Sequence, residues 1–254
     1  MDPRFITYLE KTLKEVSIDC VIFGFHEGEL KVLLLKWKGT EWWSLPGGRI
    51  YLEESADDAV VRILQERTGL KEIFLQQFYT FGGNDRYKNT PSQGLREKLE
   101  QLFGDDFYDE KYMKRNVSMG YMALADFEQA VTTPDWYTDE CKWWEISAIP
   151  ELLFDHNEMI ERALKALRRQ LSYQPIGYNL LPEKFTMPEL QRLYETILGK
   201  QLDRRNFQKL MLSYDILEKL PEKRTGGAFK APFLYRFDKE KYDKAMRDEI
   251  LFAV

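Results

Sequence analysis

Gly48-Arg-Ile-Tyr-Leu-Glu-Glu54-Ser-Ala-Asp-Asp-Ala-Val-Val-Arg62-Ile63-Leu-Gln-Glu66-Arg67-Thr-Gly69-Leu70 is the stretch on which the fold turns. It is entered through Trp42-Trp43-Ser-Leu-Pro46-Gly47-Gly48, whose proline and paired glycines read as a tight loop. Ser55 offers a hydroxyl suited to a helix N-cap, and Gly69 is placed to stop the helix after Thr68. Ile63, Glu66 and Arg67 then fall within one helical turn, on one face. Arg62 and Glu66, four residues apart, are spaced to pair. A hard divalent cation wants several oxygen ligands, and this face offers one carboxylate beside a cation and a branched alkane.

Working outward, the 254 residues suit two modest domains, and a 44% hydrophobic, 14% aromatic composition is ample for buried cores. No apolar run approaches the ~20 residues that span a bilayer, and Met-Asp-Pro-Arg-Phe lacks the shape of a signal peptide. A cytoplasmic protein is expected. Cys20 and Cys141 sit in strand-like contexts and read as buried thiols in a reducing compartment. With no CxxC and only His26 and His156, both read as surface or turn residues, no zinc site is expected.

The net charge of −5 argues against nonspecific polyanion binding by the whole molecule. Between Lys200 and Phe237, however, nine Lys/Arg face four Asp/Glu, a local balance of +5. A basic patch on an acidic chain points to a dedicated nucleic-acid-binding segment.

The order of elements supports that division. An amphipathic lead-in (Phe5, Ile6, Leu9, Leu13) precedes strands at Ser17–Phe25 and Lys31–Trp37, joined by a turn at Glu27-Gly28-Glu29. Further strands are expected at Ile73–Phe81, Asn116–Asp126 and Lys142–Ile146. A long segment from Gly82 to Arg115 carries one helix, at Leu95–Phe103. A helix from Asn157 to about Leu171 closes the first domain, residues 1–174. In residues 175–254, Thr186, Pro188 and Glu189 make a capping box for a helix ending at Gly199. Asp203 caps a second helix to about Tyr214, and strands at Ile216–Leu220 and Phe233–Phe237 flank a Gly226-Gly227 turn. Helix, short turn, helix and hairpin is the order of a winged helix-turn-helix. The second helix carries Arg204, Arg205, Asn206, Gln208 and Lys209, and arginine and asparagine are the side chains that read guanine and adenine bidentately. Lys223, Arg224 and Lys230 on the hairpin are placed to touch phosphate or the minor groove.

Gly48, Glu54, Arg62, Leu64, Glu66, Gly69 and Leu70 all fall on the pattern of a Nudix box, whose core reads Arg-Glu-apolar-X-Glu-Glu. Ile63 and Arg67 stand at the first and third of its glutamates. With Leu45-Pro-Gly-Gly-Arg49, Phe78-Tyr-Thr-Phe-Gly82, Val117-Ser-Met-Gly-Tyr-Met-Ala-Leu124 and Leu190-Gln-Arg-Leu-Tyr-Glu…Leu202-Asp-Arg-Arg-Asn-Phe-Gln-Lys209, nearly the whole chain resembles the Nudix-related transcriptional regulators. The resemblance implies an α/β (α+β) fold, a mixed-sheet α/β/α sandwich followed by a winged helix. It also implies a homodimer that represses genes from a palindromic operator. One branch of the family answers to ADP-ribose-type nucleotides and controls NAD metabolism. The chain looks most like the other branch, the arabinose-responsive regulators of Bacteroides-type bacteria, although the long Gly82–Arg115 segment departs from the nucleotide branch's short loop.

A pentose, L-arabinose first, is therefore the expected effector, with ADP-ribose the alternative. Its expected site is the pocket between the sheet and the Gly48 loop, lined by Trp43, Arg49, Tyr79, Asp85, Tyr121 and Glu145, because aromatic faces with a few fixed polar groups suit a neutral sugar. No catalytic residue, metal ligand or cofactor is expected. The rival reading is an active Nudix hydrolase acting on nucleoside diphosphate derivatives, with Glu53, Glu54 and Glu66 holding a metal.

Overall fold

Thr12–His26 (β1) is the longest strand, and its central residues are buried on both sides, as a strand covered on both faces should be. The chain turns at Glu27 and Gly28, both with positive φ (52° and 82°), and returns as Glu29–Trp37 (β2), pairing His26 with Glu29. This is the two-residue hairpin whose twist needs left-handed backbone at both central positions. In this computed structural model the described residues are 3–70, 74–86, 94, 97–98, 100–101, 116–171, 178–224 and 231–247.

Trp43–Ser44 (β3), Gly47–Tyr51 (β4), Phe74–Phe81 (β5), Val117–Leu124 (β6) and Thr138–Glu145 (β7) complete the sheet. Its order is β3-β2-β1-β6-β5, with β4 added to β1 and β7 to β2. β1 and β6 run parallel while the other pairs are antiparallel, so the sheet is mixed.

Strand alternation sends β1 side chains to two different cores. Ile18, Cys20 and Ile22 join Ile63, Val60 and Tyr121 beneath the helix Ala56–Thr68 (α2). Val21 and Phe23 join Met159, Ile160, Ala163 and Leu167 of the helix His156–Leu171 (α3) on the opposite face. The α2 ends are as the sequence suggests: Ser55 accepts from Asp58 N, and Gly69 takes the left-handed conformation. The amphipathic lead-in is a helix, Pro3–Glu10 (α1).

The second half opens with Phe185–Thr186 (β8) and the helix Met187–Leu198 (α4), whose capping box is complete: Thr186 and Glu189 each receive the other's backbone N–H. Asp203 caps Arg204–Ser213 (α5) by accepting from Asn206 N at 2.9 Å. Leu217–Lys223 (β9) and Phe233–Phe237 (β10) form the wing, in a sheet of order β8-β10-β9. A further helix, Lys239–Arg247 (α6), was not expected; it lays Tyr242 and Ala245 on Ile216.

The two halves share one apolar cluster, from Phe23 and Leu34 in the sheet through Leu167 to Leu190, Leu193 and Ile197 of α4. Polar contacts tie the same seam. Thr196 Oγ1 donates to Gly28 O at the β1–β2 turn (3.0 Å), and Arg168 Nε donates to Ile197 O (2.7 Å). No described helix is long and apolar enough to cross a membrane. The expected helix at Leu95–Phe103, the Gly226-Gly227 turn and Lys230 lie largely or wholly outside the described residues.

Candidate functional site

On α2, Ile63 is 1% exposed and belongs to the core. A side-chain carbon built on Gly48 would meet the Ile63 Cδ1 at 3.4 Å and the Tyr8 hydroxyl at 3.5 Å, so an alkane and a phenol crowd the entry to the helix. Tyr8 reaches there from α1 and accepts from Arg49 N at 2.6 Å. Burial pushes its hydroxyl pKa up, so it stays protonated. Arg67 turns inward to Asp135, Nη2 to Oδ2 3.1 Å, and the Asp135 carboxylate also accepts from Tyr137 N and Thr138 Oγ1.

Glu54 and Glu66 of the box are engaged with cations. Arg62 grips Glu54 through two bonds of 2.6 and 3.0 Å, donates to Arg49 O, and lies 4.2 Å over the Tyr51 ring. The hydrogen bond from Arg62 holds the Glu54 carboxyl below its usual pKa. The expected Arg62–Glu66 pair is present but longer, at 3.6 Å. Among the described residues, no three His, Cys, Asp or Glu gather as a metal would require. The arrangement fastens the β4 loop to its helix, and Glu54 acts as an acceptor within that clamp.

The six expected effector residues do not share one pocket. Tyr121 is buried on the α2 face, its hydroxyl 3.4 Å from Asp57 Oδ1. Trp43 is buried on the α3 face, edge-on to Trp144 at 5.1 Å with the Lys142 ammonium 4.7 Å from its ring. Glu145 pairs with Lys31 at 3.2 Å, and Arg49 spans the carbonyls of Leu13 and Lys14. Among the described residues, Tyr79 and Asp85 come together in a cleft of about 440 Å³ with Phe81, Arg86, Asp155 and Arg162. A larger cleft of about 810 Å³ lies between α1 and the box loop, walled by Arg4, Tyr8, Tyr51, Glu53, Glu54 and Trp136.

Behind the first cleft is a buried polar cluster that sequence reading missed. Arg86, 5% exposed, donates to both Asp155 oxygens (2.8 and 3.0 Å), to Asn116 Oδ1 (2.9 Å) and to Asp19 (3.4 Å). A buried guanidinium needs such partners to offset its desolvation. His156 is likewise interior rather than a surface residue: Nδ1 accepts from Leu45 N at 2.9 Å, and Nε2 lies 3.6 Å from Asp19 Oδ1. Burial lowers the His156 pKa, with Asp19 opposing. His26 stacks on Phe127 at 4.2 Å. Partners 67 and 69 residues apart leave no spacing signal in the chain.

In the second half, α5 buries Phe207 and Met211 and leaves Arg204, Arg205, Asn206 and Lys209 exposed, with Gln208 half-buried. On the wing, Lys219 and Lys223 bracket the exposed Phe233 ring, 3.7 and 4.7 Å from its centroid. Lys219 shares the period-two face of Lys223, a signal available in the sequence but not used there. Arg224, expected to reach phosphate, is engaged with its own domain: it pairs with Glu189 at 3.0 Å and donates to Lys184 O.

Residues 13–166, more than half of the chain, match the NUDIX domain. The chain belongs to the NUDIX domain family. Its residues 177–237 match the NrtR DNA-binding winged helix domain, so a NUDIX domain is followed by a winged helix homologous to those of the NrtR regulators. The ADPR responsive transcriptional repressor NtrR of Acinetobacter baylyi is 27% identical over 235 residues, covering 90% of this chain and 84% of that protein. The structure of NrtR from Shewanella oneidensis complexed with a 27mer DNA superposes with a TM-score of 0.69 at 27% identity, covering 90% of this chain and 95% of that one. A MutT/nudix family protein from Enterococcus faecalis shares the fold, at 23% identity and a TM-score of 0.62, covering 94% of each chain. Within this NUDIX domain the box keeps its loop–helix geometry while Ile63 and Arg67 serve packing and an internal ion pair. These similarities give the expected arabinose specificity no support.

Proposed function

We propose that this protein is a homodimeric transcriptional repressor acting in the cytoplasm. Its effector domain, residues 1–174, senses an ADP-ribose-type nucleotide without hydrolysing it, and residues 175–254 bind a palindromic operator. The observation that carries the reading is the α5 face: Arg204, Arg205, Asn206 and Lys209 project outward on a winged helix homologous to those of DNA-binding regulators. The lysine pair on the wing adds cations suited to phosphate contact. Similarity over nine-tenths of the chain to a repressor described as ADPR responsive favours the nucleotide over L-arabinose, which becomes the alternative.

In vitro selection of duplexes from a random pool by the full chain tests the DNA reading. Enrichment of a two-fold symmetric site supports it. Retained sequences that stay random, bound no better than bulk duplex, overturn it.

A further inference from the structure

The cations on and beside the wing strands divide into two kinds. Lys184 pairs with Glu222 at 2.8 Å, Arg224 with Glu189 at 3.0 Å and Arg236 with Glu218 at 2.6 Å. These pairs brace the sheet: Arg236 and Glu218 face each other across β10 and β9, and Arg224 ties the end of β9 to the first turn of α4. Among the described residues, no carboxylate pairs with Lys219 or Lys223. Their ammonium groups lie instead 3.7 and 4.7 Å from the centroid of Phe233, which starts β10 opposite Lys223. Phe233 is 38% exposed, whereas Phe185, Tyr194, Phe207, Tyr235 and Tyr242 of the same half are buried. A single exposed ring is ordinary on a protein surface. An exposed ring flanked by two cations that lack an acid is a combined apolar and cationic surface, presented on a braced hairpin.

We infer that Phe233 is a minor-groove contact which Lys219 and Lys223 partly cover in the free protein and bare on DNA, and that its ring selects against operators with narrow-grooved flanks. The inference rests on the DNA reading above and adds to it a determinant of flank preference. β9 follows the C-terminal end of α5 after only Tyr214, Asp215 and Ile216. A helix seated in the major groove therefore carries the wing to the phosphate ridge beside it and to the minor groove beyond.

There each lysine meets a stronger partner, because a phosphate oxygen carries charge and a ring face only a quadrupole. The stems are long and flexible enough to swing off the ring. The bared ring then lies against the deoxyribose walls and loses its contact with water. An ordinary minor groove, about 6 Å wide, admits it. An A-tract is stiff and narrower, and its enhanced negative potential attracts lysines while its width excludes a ring.

The test is an anisotropy titration of the full chain on two duplexes sharing one selected operator, at several salt concentrations. The duplexes differ in the base pairs under the wing, an A-tract in one and mixed sequence in the other. The parent protein is expected to bind the mixed flank more tightly. Phe233→Ala is expected to lose about tenfold on the mixed flank, in keeping with a phenyl ring removed from a buried contact. It should lose little on the A-tract flank and keep the salt slope, because no phosphate contact goes with the ring. Lys219→Ala and Lys223→Ala should instead reduce the slope by about one unit each on both flanks. If the parent selects no symmetric site, the DNA reading fails and this contact with it. If the parent binds its operator and Phe233→Ala matches it on both flanks, the DNA reading stands and the minor-groove ring is overturned. Tighter parent binding to the A-tract flank, or an equal loss by Phe233→Ala on both flanks, likewise overturns the inference and leaves the ring a support for the wing.

Discussion

Arg67 and Asp135 meet at 3.1 Å with side chains only 9% and 5% exposed, so the third carboxylate position of the Nudix box is occupied by half of a buried ion pair. Removing one partner from such a pair leaves the other charged and dry. Arg67→Ala is therefore expected to cost about 3–5 kcal/mol, read by urea unfolding. Arg67→Met with Asp135→Leu should cost much less, because both charges go together. A loss below about 1 kcal/mol for Arg67→Ala, the range of exposed pairs, would contradict the buried assignment.

The same helix face predicts catalytic silence. With Ile63 in the core and Glu54 clamped by Arg62, ADP-ribose should not be hydrolysed above background with Mg²⁺ or Mn²⁺. Turnover on the order of 1 s⁻¹ would show a working enzyme. Ile63→Glu should destabilise the fold, since the new carboxylate would enter an apolar cluster.

His156 gives the stability a pH signature. Its folded pKa lies below the ordinary 6.5 because the ring is buried, so the unfolded chain takes up the proton first. Stability is then full above about pH 6.5 and falls as pH drops through the window between that value and the folded pKa. Melting curves between roughly pH 7.5 and 5.5 should slope downward on the acid side. His156→Gln should flatten that slope while lowering stability throughout, because the Leu45 N–H loses its ring acceptor. Parallel slopes in the two proteins would exonerate His156.

For DNA, Arg204→Ala or Arg205→Ala should cost roughly 1–3 kcal/mol of specific binding when the side chain reads a guanine. Lys219→Ala and Lys223→Ala should weaken all sequences alike and reduce the salt slope by about one unit per lost phosphate contact. Unchanged affinity in all four variants would remove the role assigned to α5 and the wing.

What could be read from the chain follows from the range of the forces involved. Ser55, Gly69, Thr186, Glu189, Gly199 and Asp203 cap helices through bonds spanning a few residues, and each sits where the sequence places it. The pocket did not emerge in this way. Tyr121 and Trp43 face opposite sides of the sheet, which depends on strand register, and register is fixed by partners far along the chain. The Arg86 cluster unites residues 19, 86, 116 and 155 from separate elements, a convergence with no local signature. The short strands β3 and β8 carry too few residues for any alternation to register.

The proposed coupling between a nucleotide in the NUDIX half and the winged helix has its readout at the operator. The most direct measurement is a gel-shift titration of a selected operator duplex bound by the full chain, with ADP-ribose, L-arabinose and D-xylose in parallel. Release by ADP-ribose alone is expected; a tenfold loss of DNA affinity corresponds to about 1.4 kcal/mol of coupling and requires DNA to weaken nucleotide binding by the same factor. Release by a pentose while ADP-ribose leaves the complex intact would contradict it.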